Sequence, residues 1–505
     1  MKKFTRNIII SLLSKILLII SGIIAQYFIL NSFGSEINGL TSTITQFLTY
    51  FTLLEAGLGL ASIQALYAPL YEKDSDVINS ILSATDKQYK KTGAIFLVLL
   101  ISLSFILPFI TDSSLGYWQI VIITLLMGIP NVLLYFFIGK VNTLLYADRN
   151  IHIITILDAV LGIIFAVIKV IIINLGGSIE FVLISQIVSP IIRIVILFIY
   201  VKKKYNYIDF KAKPDNSYIS KRWSALVHQF VGMITNHTDV ILLGVFSTLS
   251  MVSVYSVYNY IYSNISNVLQ TSLLSAPQAS FGKWYQSDSK EKFNTRFAAF
   301  ELFIFFVVFV IVCTAIVMTL PFVKLYTINV IDVEYLNYTL ALLFGISILF
   351  STIRIPYVMM INITGTFKET RLGAILEAVI NLAVSIPLLF VMGIEGLLIG
   401  TCVALMYRSI DVIVYCYKKL INKSILSIIK LLLIYLSFAV VYIVVFNYCI
   451  TLDINNWFSW LLIALCVFLS SCIWFLLPII IFYPKYLING FKYLKKYIKK
   501  IKFKR

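Results

Sequence analysis

The stretch KKKYNYIDFKAKPDNSYISKR, residues 202–222, is a basic island in a chain otherwise built from apolar runs. It carries Lys202, Lys203, Lys204, Lys211, Lys213, Lys221 and Arg222. On both sides of it, runs of about 20 mostly apolar residues recur, the length at which a helix crosses a bilayer. Six such runs precede the island, at roughly 8–30, 37–66, 93–110, 117–139, 151–173 and 178–201. Eight follow, at roughly 224–246, 251–276, 297–321, 335–361, 372–392, 395–417, 425–448 and 457–484. The tenth of the fourteen contains Arg354 and Pro356 and is expected to bend there.

The island is one part of a wider pattern. Of the 41 Lys and Arg, 34 fall in the two tails and in every second connection, one (Lys324) falls in the alternate connections, and six lie inside runs. Short loops rich in Lys and Arg stay on the cytoplasmic side of a membrane. The pattern predicts an all-α polytopic membrane protein with 14 transmembrane helices and both termini cytoplasmic. Trp118, Trp223, Trp284, Trp457 and Trp460 fall at run ends, where an interfacial belt places them.

Composition agrees. The chain has 505 residues, of which 60% are hydrophobic and 13% charged, whereas soluble globular domains carry about 25% charge. A net charge of +18 would suggest nucleic acid in a soluble protein. Beside membrane spans it points to anionic lipid headgroups, and no nucleic-acid partner is expected. The six cysteines (313, 402, 416, 449, 466 and 472) lie in apolar runs without CxxC spacing. They read as small buried hydrophobes, with no disulfide or metal site. The first run, Ile8 to Leu30, is too long for a signal-peptide core and lacks a small-residue cleavage site.

The island also separates two related halves. Ile156-Leu-Asp-Ala-Val160 matches Ile375-Leu-Glu-Ala-Val379 at an offset of 219. Ile179-Glu180, Arg193, Tyr200 and Lys203-Lys204 match Ile394-Glu395, Arg408, Tyr415 and Lys418-Lys419 at 215. Tyr71 to Ser75 resembles Tyr285 to Ser289 at 214. The expected organisation is a six-helix bundle (1–201), the linker (202–222), a second six-helix bundle (223–420), two additional helices (421–484) and a basic tail (485–505). Internal repeats are common in transporters, whose binding site lies between them. The tail spaces Leu487, Ile488, Phe491, Leu494, Ile498 and Ile501 as one helical face among its basic residues. It reads as an interfacial amphipathic helix on the anionic leaflet, or as a solvated basic tail.

Charges inside the runs are candidates for function, because each costs about 2.5–3.5 kcal/mol to insert. Asp158 and Arg193 lie at similar depth in neighbouring runs and can meet. Glu377 and Arg408 repeat the arrangement, and both pairs read as structural ion pairs, with substrate contact as the alternative. Lys15 and Arg354 have no evident acidic neighbour in sequence. They are the substrate-headgroup candidates, because an unpaired cation suits a pyrophosphate and Arg binds it bidentately. The alternative is snorkelling to the surface. The seventh run is unusually polar. Asn236, His237 and Asp239 in it, with Glu55 in the second run, are candidates for coupling to H+ or Na+; local capping or an interior hydrogen bond is the alternative. No Walker A loop, GxSxG, GxGxxG or zinc spacing occurs, and the connections assigned to the outside are short. No catalytic residues, metal or cofactor are expected, and the chain does not read as an enzyme.

Three groups of residues carry a resemblance. Phe33-Gly34-Ser-Glu-Ile-Asn-Gly39-Leu, Leu54-Glu55-Ala-Gly57-Leu-Gly59 and Leu66-Tyr67-Ala-Pro69-Leu70 form the first. Thr238-Asp239-Val-Ile-Leu-Leu, Val254-Tyr255-Ser-Val-Tyr258 and Ser280-Phe281-Gly282 form the second. Gly365-Thr-Phe-Lys-Glu-Thr370 and Gly393-Ile394-Glu-Gly396-Leu-Leu-Ile-Gly400-Thr401 form the third. Over residues 5–420 the sequence resembles Wzx-type polysaccharide repeat-unit flippases of the multidrug/oligosaccharidyl-lipid/polysaccharide exporter superfamily. The resemblance implies a MATE-like pair of six-helix bundles in a bacterial cytoplasmic membrane, working by alternating access. The expected activity is translocation of undecaprenyl-pyrophosphate-linked oligosaccharide repeat units from the inner to the outer leaflet, coupled to an ion gradient. Glycosyltransferases and a polysaccharide polymerase would be functional partners. A cation-coupled multidrug exporter, a lipid II flippase and, in another class, a membrane polysaccharide polymerase or acyltransferase are the alternatives.

Overall fold

The computed structural model describes residues 2–55, 58–209, 212–215, 233, 237–449 and 454–484. The elements are α1 (Lys2–Phe51), a 3-10 turn (Thr52–Glu55), α2 (Leu58–Glu72), α3 (Ser75–Ile110), α4 (Tyr117–Leu133), a π turn (Leu134–Ile138), α5 (Gly139–Ala147), α6 (Ile151–Asn174), α7 (Ile179–Lys204) and α8 (His237–Phe246). There follow α9 (Leu249–Gln270), a π turn (Thr271–Ser275), α10 (Ala276–Ser287), α11 (Lys290–Tyr326), α12 (Tyr338–Ile353), α13 (Ile355–Thr364), α14 (Arg371–Tyr415), a π turn (Cys416–Ile421), α15 (Leu426–Cys449) and α16 (Trp457–Phe482). Among the described residues ten helices are long and apolar enough to cross a membrane. The protein is an all-helical, multi-pass membrane protein.

Two of the ten hold more than one apolar run of the sequence. Within α1, Gly34 takes φ +81, and within α14, Gly393 takes φ +61. Both angles lie in the left-handed region that glycine enters without steric cost, so each long element breaks into two helical segments there. The expected bend in the tenth run falls at Arg354, a one-residue interruption between α12 and α13 that keeps helical angles (φ −77, ψ −7), with Pro356 in the first turn of α13. Pro is tolerated in a first turn because its missing N–H has no helical partner there. The basic tail and most of the seventh run, Asn236 included, lie outside the described residues. Cys466 corrects the expectation of burial, because it is exposed on α16.

The chain divides into two compact units, Met1–Ser256 with Thr327–Val333, and Val257–Tyr326 with Glu334–Arg505. In the first, Leu40, Ile44, Phe96, Leu100, Ile123 and Val182 form a fully buried core. Because lipid is as apolar as Leu, such helices associate through close packing, and small residues allow it. A Cβ at Gly128 would fall inside the Leu100 side chain, and one at Gly39 would fall on the Leu249 carbonyl. In the second unit α11 is the interior helix: 67% of its most apolar window is buried, against 33% for α14. Phe305 and Phe309 of α11 pack on Tyr435 of α15, whose ring stacks on Phe475 of α16 with centroids 6.1 Å apart. That cluster ties α15 and α16 to the interior helix.

The short segment Thr327–Val333 is flanked by the second unit and packs in the first. Asp332 Oδ2 accepts the backbone N–H of Ser35 at 2.8 Å, and Oδ1 accepts its hydroxyl at 2.5 Å. Asn31 Oδ1 accepts the Asn329 N–H at 3.1 Å. Ser35 opens the helical segment after the Gly34 break and is fully buried. Asp332 therefore caps that segment from far along the chain, placing a carboxylate where helix-end amides and the helix dipole favour one.

Candidate functional site

In the first unit, Arg193 of α7 meets Asp158 of α6, with Nε 2.8 Å from Oδ1 and Nη2 3.3 Å from Oδ2. The turn between α6 and α7, at Gly176, makes this contact possible by folding the two helices into a hairpin. A second ionic group has no counterpart in the sequence reading. Asp86 of α3 takes Lys140 of α5 at 3.0 Å and Lys90 at 2.8 Å. Lys140 is 9% exposed and Asp86 8% exposed. Both read as loop residues in the sequence because the apolar runs stop short of them. The helices do not: α3 begins at Ser75, and α5 continues α4 past its π turn. The repeat is the signal that could find them, since an offset of 214 carries Lys140 onto Arg354 and 215 carries Asp86 onto Glu301.

The second unit gathers its charges differently. Glu377 of α14 receives two guanidinium groups: Arg354 Nη1 lies 2.8 Å from Oε1, and Arg408 Nε lies 3.6 Å from Oε2. Arg408 Nη1 also reaches Asp411 Oδ2 at 2.5 Å and the Thr370 carbonyl at 3.1 Å. Two cations and two anions thus close into a neutral cluster. The expectation of an unpaired Arg354 is corrected here, because α13 and the turn after it return the chain so that Glu377 of α14 meets its guanidinium. It remains the more exposed of the two arginines, at 21% against 12%. Lys15 lies on α1, and its side chain is outside the described residues.

Glu301 of α11, at the repeat position of Asp86, has phenols where Asp86 has lysines. Its carboxyl accepts the Tyr357 hydroxyl and, at 2.9 Å to each oxygen, that of Tyr417. Sequence reasoning leaves this site unassigned, because tyrosine hydroxyls are invisible in an apolar pattern.

The coupling candidates separate. Glu55 ends the 3-10 turn after α1 and accepts the Tyr89 hydroxyl of α3 at 2.7 Å. Asp239 of α8 is buried, with Oδ2 accepting Tyr255 of α9 at 2.9 Å. His237 Nδ1 lies 2.8 Å from Gln46 Oε1, and Thr238 Oγ1 2.5 Å from the Tyr50 hydroxyl. The polar residues of α8 therefore bond the second segment of α1 and the start of α9. No hydrogen bond joins Glu55 to them among the described residues.

Fold comparison places this arrangement among known structures. The chain superposes on the structure "Lipid II flippase MurJ, inward closed conformation" with TM-score 0.69 and 14% identity, covering 92% of this chain and 98% of that one. It superposes on an inward-facing multidrug resistance MATE family transporter of the MOP superfamily with TM-score 0.64 and 13% identity, covering 77% and 91%. The chain shares its fold with these two structures. Both of these structures are of transport proteins and neither is of an enzyme. No protein-family model and no curated protein sequence matches the chain.

Proposed function

We propose that the chain is a flippase that carries undecaprenyl-pyrophosphate-linked oligosaccharide repeat units from the inner to the outer leaflet by alternating access. The observation that carries this reading over a multidrug exporter is the extent of the fold likeness. The lipid flippase covers 92% of this chain and the MATE transporter 77%. A lipid II flippase is the second reading, favoured by the higher TM-score of the lipid II flippase structure, 0.69 against 0.64. The resemblance over residues 5–420 favours the repeat-unit substrate.

In this reading the charge bias sets both termini in the cytoplasm, and the fourteen spans form two six-helix bundles with two extra helices and the 485–505 tail on the anionic leaflet. Lys15 and Arg354 serve the pyrophosphate. Glu377 occupies one amine of Arg354, and the exposed remainder of the guanidinium keeps donors for phosphate oxygens. Asp158–Arg193 and Glu377–Arg408 hold their hairpins. Glu55, Asp239, His237 and Asn236 are the candidates for H+ or Na+ coupling.

The test is a leaflet-exchange assay on the purified chain in vesicles. Fluorescently labelled undecaprenyl-pyrophosphate saccharide is quenched from outside by an impermeant reductant. The expected result is accelerated loss of the protected fluorescence, slowed by Arg354→Gln. Export of a cationic dye with no acceleration of the saccharide lipid would overturn the reading in favour of a multidrug exporter.

A further inference from the structure

The surface of the second unit is uneven in a way the charge pattern does not describe. Most side chains that the helices of this protein expose at membrane depth are hydrocarbon, as on α7 at Val195, Ile196 and Ile199. The stretch from α9 through the π turn into α10 exposes a row of amides and hydroxyls beside Val268. Asn267, Gln270, Thr271 and Ser275 are exposed there within the eighth apolar run; just past its end, in the connection that the charge bias sets in the cytoplasm, Gln286 is exposed and Gln278 half-buried. No Lys, Arg, Asp, Glu or His occurs between Val240 and Phe281. Amides and hydroxyls cannot face lipid without losing hydrogen bonds, so this face must meet water or a hydrated ligand.

The π turn explains how the residues align. Positions 267, 271, 275, 278, 282 and 286 are spaced by three or four residues, and the extra residue of a π turn at Thr271–Ser275 keeps Ser275 in the row. At the end of the row a recess of about 500 Å³ opens between α10 and α13, lined by Ser275, Gln278, Ala279, Gly282, Gln286 and Ile363. Gly282 leaves the wall open, since a Cβ there would still stand 3.9 Å from Ile363. No charged residue lines it. Among the described residues, the side chains of Ser275, Gln278 and Gln286 form no hydrogen bond with the rest of the protein.

We propose that this recess binds an uncharged sugar ring of the lipid-linked saccharide, which rests on the flippase reading above. A carboxamide offers both a donor and an acceptor, as a pair of neighbouring ring hydroxyls does. Two glutamines eight residues apart and a serine hydroxyl beside them fit one ring face. The lining holds no cation to pair with a pyrophosphate, so in this proposal the two ends of one substrate are read at different places: the anion at arginine, the sugar at amides.

The experiment compares three probes on the full chain in lipid nanodiscs by calorimetric titration: undecaprenyl pyrophosphate bearing chitobiose, bare undecaprenyl pyrophosphate, and free chitobiose. The variant is Gln278→Leu with Gln286→Leu, both away from the core. The wild type is expected to bind the sugar-bearing lipid about tenfold more tightly than the bare one, and the variant to lose that preference while binding bare lipid unchanged. No preference in the wild type, a preference kept in the variant, or equal weakening of both lipids overturns the proposal. Glutamine-dependent binding of free chitobiose without binding of either lipid supports the sugar site and overturns the flippase reading. Binding of none of the three overturns both.

Discussion

Glu377→Gln is the sharpest test of how the second unit holds its charges. The Glu377 side chain is 8% exposed and carries Arg354 and Arg408 at 2.8 and 3.6 Å. Glutamine keeps the shape but not the charge, so Arg354 loses its ion-pair partner while Arg408 retains Asp411. Leaving one partner of a buried pair uncompensated costs about 3–5 kcal/mol. Arg354 is 21% exposed, which places the expected loss near the lower end, about 3 kcal/mol. Asp411→Asn makes the internal comparison. Asp411 is 33% exposed, and Arg408 keeps Glu377, so about 1 kcal/mol is expected, within the range of exposed pairs. Adding Arg354→Gln to Glu377→Gln removes the stranded cation and should return at least about 1 kcal/mol, the non-additivity that marks a shared network. The assay is unfolding of the purified variants in mixed micelles by added dodecyl sulfate, followed by circular dichroism. If Glu377→Gln costs no more than Asp411→Asn, or if the second substitution returns nothing, the two arginines do not depend on Glu377 as described.

Two further predictions concern the first unit. Asp332→Ala removes the acceptor of the Ser35 N–H and hydroxyl and should cost about 1–2 kcal/mol. Hydrogen exchange should rise in a peptide beginning at Ser35, and unchanged exchange there would remove Asp332 as its cap. The Tyr205 phenol, just past the end of α7, donates to Asp148 and accepts from Asn150 at 3.0 Å. Burial first, and then Asp148, holds it above its ordinary value near 10. A raised value contributes stability that is complete below about pH 10 and fades as pH climbs through the folded-state value. Melting temperature should therefore fall more steeply above about pH 10 in the wild type than in Tyr205→Phe, and parallel profiles would show that Tyr205 does not contribute.

Much of the architecture is legible in the sequence because the bilayer imposes a length and a charge rule on every span. The hairpin partners Asp158 and Arg193 are legible for the same reason: two runs joined by a short turn leave few places for a charge to go. Other contacts depend on where helices end, which apolar runs do not report. Asp86 and Lys140 lie in helical extensions beyond the hydrophobic part, so a span-by-span reading sets them in loops. Distance hides the pairing of Arg354, since its partner Glu377 comes 23 residues later, after α13 and a turn. The amide row of α9 and α10 is the opposite case: a search for charges passes over its asparagine, glutamines and serine.

The Asp332–Ser35 cap also bears on how the chain is made. Its partners are 297 residues apart. At about 5–20 residues per second of synthesis, Ser35 emerges about 15–60 s before the carboxylate that completes it. During that interval the helical segment after Gly34 enters the membrane with its first amide and hydroxyl awaiting a partner. The seven residues Thr327–Val333 thus act as a late closure in biogenesis. Chains arrested before them should leave the ribosome with the segment after Gly34 still open to proteases and to quality control.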